Sequence, residues 1–181
     1  MKKLSELAQG AHFLYGGVEW VKFEDIGAGT LCLAAEPVFL RAFDEENCND
    51  WRKSSLRREL NGAFLDALVA EGADRAAFLD WESDLTADDG LRDYGNCLDK
   101  VTMLTADEYR QTRDLHPAPE HWRWLITPDG TPKSSGTSFV RCVRSGGSLS
   151  YYGRACVGRR GVRPALTLKS DILDLSLTPR T

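Results

Sequence analysis

The chain of 181 residues lacks most of the signatures by which an enzyme announces itself. Its five cysteines, Cys32, Cys48, Cys97, Cys142 and Cys156, are odd in number, widely spread and without a C-x-x-C pair. That pattern argues against a zinc site and for mostly reduced thiols, as in a protein made in the cytosol. The three histidines, His12, His116 and His121, sit in no catalytic motif. No phosphate-binding loop, dinucleotide fingerprint or nucleophile elbow is present, so no cofactor is expected. No apolar run approaches bilayer length, which argues against membrane insertion. The start, Met1-Lys2-Lys3 followed by Leu4-Ser5-Glu6-Leu7-Ala8, is too polar for the core of a secretory signal. No internal repeat or low-complexity tract is found. The net charge of −4 is too mild and of the wrong sign to imply a nucleic-acid partner.

What is present is enough hydrophobic content, 42%, for a real core. The length fits a short lead-in over residues 1–11 and one domain over 12–181. Residues 12–15 and 18–23 read as strands around a Gly16-Gly17 hairpin turn. Residues 30–35 read as a buried strand. A helix capped by Ser54 or Ser55 follows, with Leu56, Leu60, Phe64, Leu65 and Leu68 on one face, a possible break at Asn61-Gly62 and a stop at Gly72. Residues 78–96 read as a long acidic loop and 99–104 as a strand. Thr105-Ala106-Asp107-Glu108 is a capping box that opens a second helix. The segment 121–126 alternates like a half-exposed strand. Strands over 138–144, 148–152 and 162–168 close the chain. Short strands that do not alternate regularly with two helices indicate an α+β fold with a mainly antiparallel, twisted sheet.

Charge is uneven. Acidic residues crowd 74–114 and arginine dominates 141–163. The basic end either meets an acidic partner or pairs with the acidic middle of the same molecule. Residues 145–160 are rich in Ser, Gly, Tyr and Arg with no clear period. That composition is poor core material and good contact material: Tyr and Arg give area and hydrogen bonds at little ordering cost, while Ser and Gly adapt.

Four segments carry a family resemblance. Trp51-Arg52-Lys53-Ser54-Ser55-Leu56-Arg57-Arg58-Glu59-Leu60-Asn61 with Phe64 resembles a W-x-x-S-x-L-R-x-x-L-N-x-x-F signature. Residues 101–109, VTMLTADEY, resemble an LLS-x-x-E strand-to-helix step. Residues 122–128, WRWLITP, resemble a WWLRSP step, although the arginine of that step is missing. Residues 161–166 read GVRPAL, matching the closing motif. In this order they are similar to bacterial and phage proteins with a C-type-lectin-like fold, in the style of the variable proteins of diversity-generating retroelements and, more distantly, of formylglycine-generating enzymes. Members of the first group are diversified by error-prone copying of adenines, mostly in AAC or AAT codons, and such codons cannot become Lys, Glu, Gln, Met or Trp. Residues 145–160 contain none of those five.

The resemblance implies a binding protein rather than an enzyme, with a variable region at about 138–166. Its contact residues are expected to be Ser145, Ser148, Ser150, Tyr151, Tyr152, Arg154, Cys156, Val157, Arg159 and Arg160. Trp51, Trp122, Trp124 and Arg163 belong to the frame, with Arg163 expected to brace the sheet through Asp80 or Asp84. The implied setting is a phage tail or other virion component that adheres to a host surface protein or glycan, or less directly a bacterial surface protein. A homo-oligomer, such as a trimer, fits that setting. The acidic segment 80–93 does not match EF-hand spacing, and a solvated or salt-bridged loop without metal is expected there. Two alternatives stay open: an oxidase of the formylglycine-generating type using Cys142 and Cys156, and a structural virion protein without a ligand.

Overall fold

Two glycines with positive φ set the first hairpin. In the computed structural model, which describes residues 2–116, 119–134, 136–172 and 176–177, Gly16 (φ 58°) and Gly17 (φ 73°) join β1 (His12–Tyr15) to β2 (Val18–Ile26), with Tyr15 opposite Val18. Positive φ at both central residues matches the right-handed strand twist and favours glycine. The side chains of residues 150–152 and 176–177 lie outside the description. β2 turns into β3 (Gly29–Ala34), whose side chains are almost all buried. β4 (Phe39–Arg41) follows.

The first helix begins where the sequence says it should. Ser54 Oγ accepts from the Arg57 amide at 3.1 Å and opens α1 (Ser55–Glu59). The Asn61-Gly62 pair does not break the helix. It opens it into a π turn over Leu60–Phe64, after which α2 (Leu65–Ala70) resumes. The Asn61 side chain explains the deviation. It donates to the carbonyls of Arg57 and Val101 and accepts from the amides of Lys100 and Val101. Gly72, at φ 97°, ends the segment.

Residues 78–96 are not simply a loop. They contain β5 (Phe78–Leu79) and β6 (Trp81–Asp84), and β6 pairs with β7 (Asn96–Asp99) in a separate hairpin. The acidic composition hid a B-e-B-e burial alternation. After β8 (Val101–Thr102), Thr105 and Glu108 form the expected capping box of α3 (Ala106–Gln111). β9 (Arg123–Pro128) is buried at every position rather than half exposed. It is the middle strand of its sheet, and both of its faces are covered, Trp124 and Ile126 packing into one apolar cluster and Leu125 into another. β10 (Phe139–Val143), β11 (Leu149–Arg154), β12 (Arg160–Val162), β13 (Ala165–Lys169) and β14 (Ser176–Leu177) complete the chain.

The strands form two main sheets, ordered β14-β1-β2-β3-β13-β5, with β8 also on β13, and β11-β10-β9-β12-β4. The pairing is antiparallel except between β12 and β9. The strand expected at 162–168 is therefore two strands in two sheets. Arg163-Pro164 is the crossing, and proline, lacking an amide hydrogen, cannot extend a ladder. The fold class is α+β and mainly antiparallel, as expected. Between the sheets and the first helix lies a core containing Phe13, Trp20, Phe43, Trp51, Leu60, Met103, Trp124 and Ile126. Leu4 of the lead-in is fully buried in the same core. Asp99 ties this core together: one oxygen accepts from Trp51 Nε1 at 2.9 Å and the other from Arg57 Nε at 2.7 Å.

Candidate binding surface

The hairpin of β10 and β11 ends in a tight turn. The Arg144 amide donates to the Ser148 carbonyl at 2.8 Å, and Gly146 and Gly147 take φ of 87° and 83°. The turn is anchored from below. Tyr109 Oη donates to the Gly147 carbonyl at 2.7 Å and accepts from Arg113 Nη1 at 2.8 Å. The Arg113 guanidinium fills the space that a side chain at residue 147 would need.

Along the segment 145–160, free and fixed positions are interleaved. Ser145, Ser148, Arg154, Cys156, Val157 and Arg159 are exposed, Val157 to 37%. Gly153 is fixed: a Cβ there would meet Cys142 Sγ at 2.5 Å, Trp124 Cζ3 at 2.8 Å and the Val140 carbonyl at 3.2 Å. Ala155 is fully buried, and its backbone bonds to Ser138 and Asp44 hold the strand end in place. Leu149 packs half-buried against the second core cluster. The side chains of Ser150, Tyr151 and Tyr152, expected as contacts, fall outside the described residues.

Arg160 departs from expectation. It is only 9% exposed and its guanidinium carbon lies 4.5 Å from the Trp122 ring centroid and 4.9 Å from that of Trp124. It sits beside the frame rather than standing free. Trp51 and Trp124 are both essentially inaccessible. Trp122 is half-buried, packed on the core with part of its surface facing out.

Arg163 is a frame residue with the wrong partner predicted. Asp80 pairs with Lys100 at 3.0 Å, and Asp84 accepts from the Thr86 amide and hydroxyl. Instead Arg163 Nε donates to the Ala34 carbonyl at 2.6 Å, and Nη1 donates to His116 Nδ1 at 2.9 Å. A ring that accepts at Nδ1 carries its hydrogen on Nε2, which donates to Thr112 Oγ1, and that hydroxyl donates to the Glu108 carbonyl. His116 is stacked between Phe23 and Tyr109. Burial, then the charges of Arg163, Arg123 and Arg113, push its pKa down to about 3. Burial, then Arg123, lowers Arg163 to about 9. The reason a carboxylate was expected, a buried arginine's need for acceptors, is met by a carbonyl and a neutral imidazole.

The two cysteines of the oxidase alternative differ. Cys142 is inaccessible, and burial pushes its thiol up to about 12. Cys156 is exposed, with its amide donating to Asn47 Oδ1 at 3.3 Å. The carboxylates of the acidic segment are engaged locally. Asp88 pairs with Arg141, Asp89 accepts from Ser134, and Asp93 accepts from Thr131 and Lys133. Among the described residues no group of three or more acidic, Cys or His side chains is arranged to hold a metal ion. No helix among them is long and apolar enough to cross a membrane.

The charge asymmetry resolves unevenly. Arg141 pairs with the acidic segment, but among the described residues Arg144, Arg154, Arg159 and Arg160 contact no carboxylate. Sequence reasoning passed over Arg144 and Gly153. Gly153 could have been flagged as the glycine inside a strand pattern, a sign of close approach. No protein-family model, curated protein or solved structure matches the chain.

Proposed function

We propose that the protein binds a ligand through the face built by the β10–β11 hairpin and the 155–159 loop, and that this face belongs to a C-type-lectin-like domain diversified in the manner of retroelement variable proteins. One observation carries the reading. Six of the contact residues, Ser145, Ser148, Arg154, Cys156, Val157 and Arg159, are exposed on a backbone that Gly147, Gly153 and Ala155 lock to the core. Substitution at such exposed sites costs little stability, so recognition can change while the frame persists. Arg144, Arg154 and Arg159, exposed and without a carboxylate contact among the described residues, favour an acidic partner.

The setting we infer is a phage tail or other virion adhesin, acting on a host surface protein or glycan and displayed as a homo-oligomer, in which modest single-site affinity is raised by avidity. A thiolate-dependent oxidation at Cys142 is disfavoured, because the thiol is inaccessible and raised far above neutral pH. The test is host-cell adsorption by the protein with all six exposed residues replaced by alanine. Adsorption is lost with an unchanged melting temperature if the face binds. Adsorption equal to the parent rejects the assignment.

A further inference from the structure

Arg160 is only 9% exposed, yet its guanidinium makes no hydrogen bond or ion pair among the described residues. Its Nε is inaccessible and unpartnered, while its two terminal nitrogens are not among the inaccessible atoms. The fork therefore sits beside two indoles, its Nε shut away from solvent and its terminal nitrogens not. A second cation lies against the same indole. The guanidinium carbons of Arg144 and Arg160 both lie within 5.1 Å of the Trp122 ring centroid, and among the described residues neither forms an ion pair with a carboxylate. Arg159 is next in the chain and exposed. Indole faces attract cations, but they supply no acceptor for an N–H, and two like charges beside one ring repel. An anion would relieve both deficits.

We propose that Arg160 and Arg144, flanking Trp122, form the anion-reading part of the binding face and that the ligand is a saccharide bearing a carboxylate. This rests on the binding function proposed above and names its ligand class. A planar fork matches a planar carboxylate in two parallel hydrogen bonds. The described side chains exposed at the hairpin tip, Arg144, Ser145 and Ser148, all carry hydrogen-bonding groups and none is apolar. That rim suits a hydroxylated ligand.

The probe is a panel of immobilised oligosaccharides carrying uronic or sialic acid, sulfate, or no charge, with the full chain in solution. The expected result is binding to carboxylated members, weakening as salt is raised. Arg144→Gln, a surface change, weakens that binding roughly tenfold or more with an unchanged melting temperature. Arg160→Lys keeps the charge but removes the fork, and abolishes the preference for carboxylate over sulfate. Binding of no carboxylated member, equal binding of neutral members, or indifference to both substitutions overturns the proposal. Should Arg160→Lys fail to fold, Arg144→Gln alone decides. Host-cell adsorption is measured in parallel. Cells bound without panel binding, or adsorption removed by protease treatment of the cells, sinks the saccharide assignment and leaves the binding function standing. Loss of both sinks the two together.

Discussion

Replacing Gly153 by alanine adds one methyl group where three buried groups already meet. The new Cβ would stand 2.5 Å from Cys142 Sγ and 2.8 Å from Trp124 Cζ3. Ordinary contact needs at least about 3.5 Å, so the neighbours must move by roughly 1 Å. Neither has room: both side chains are buried to within 1%. Overpacking of this kind costs about 1–3 kcal/mol, which lowers the melting temperature of a chain this size by roughly 2–12 °C. Cys142→Ala alone opens a small cavity at roughly 1–2 kcal/mol. Together the two changes partly compensate, so the double variant is more stable than the sum of the singles by about 1 kcal/mol or more. Thermal unfolding of the three variants, with Arg154→Ser as the exposed control at within about 0.5 kcal/mol, makes the comparison. A Gly153→Ala melting temperature within about 1 °C of the parent would refute the packing argument.

Asp99→Ala leaves Trp51 Nε1 and Arg57 Nε without their shared acceptor, and costs roughly 2–3 kcal/mol in urea unfolding because Arg57 is partly solvated; a change under about 0.5 kcal/mol would show that the contacts are incidental. His116, with a folded pKa of about 3 against an ordinary 6.5, binds its proton in the unfolded chain first. Its contribution is complete above pH 6.5 and falls as the pH drops through that value, so stability measured at pH 7 exceeds that at pH 5. His116→Gln keeps an acceptor for Arg163 and flattens the difference; an unaltered slope would place the titration elsewhere. Thr105→Ala removes the capping box of α3 at about 1 kcal/mol, read by thermal unfolding; no loss would mean that tertiary packing alone holds the helix.

Local chemistry made much of the fold readable. Gly16-Gly17, Ser54, Gly72 and Thr105 each act through their own backbone neighbourhood, and each marks the element it promised. Elements decided by distant contacts were less legible. β9 is covered on both faces by apolar clusters built from distant segments, which its alternating residue types do not reveal. The strand in the acidic segment pairs with a partner about a dozen residues on, beyond the reach of composition. Of the binding surface, exposure of Ser145, Ser148, Arg154, Cys156, Val157 and Arg159 followed from composition. The burial of Arg160 did not, because it depends on Trp122 and Trp124 arriving from another strand. The partners of Arg163 were likewise invisible: a histidine 47 positions away and the carbonyl of Ala34.

The most direct measurement is the sequence of sister clones from the same source. Diversified recognition predicts substitutions concentrated at residues 145, 148, 154, 156, 157 and 159, with Gly153 and Ala155 unchanged. Substitutions spread evenly along the chain, or falling at Gly153 and Ala155 as often as at their exposed neighbours, would contradict it.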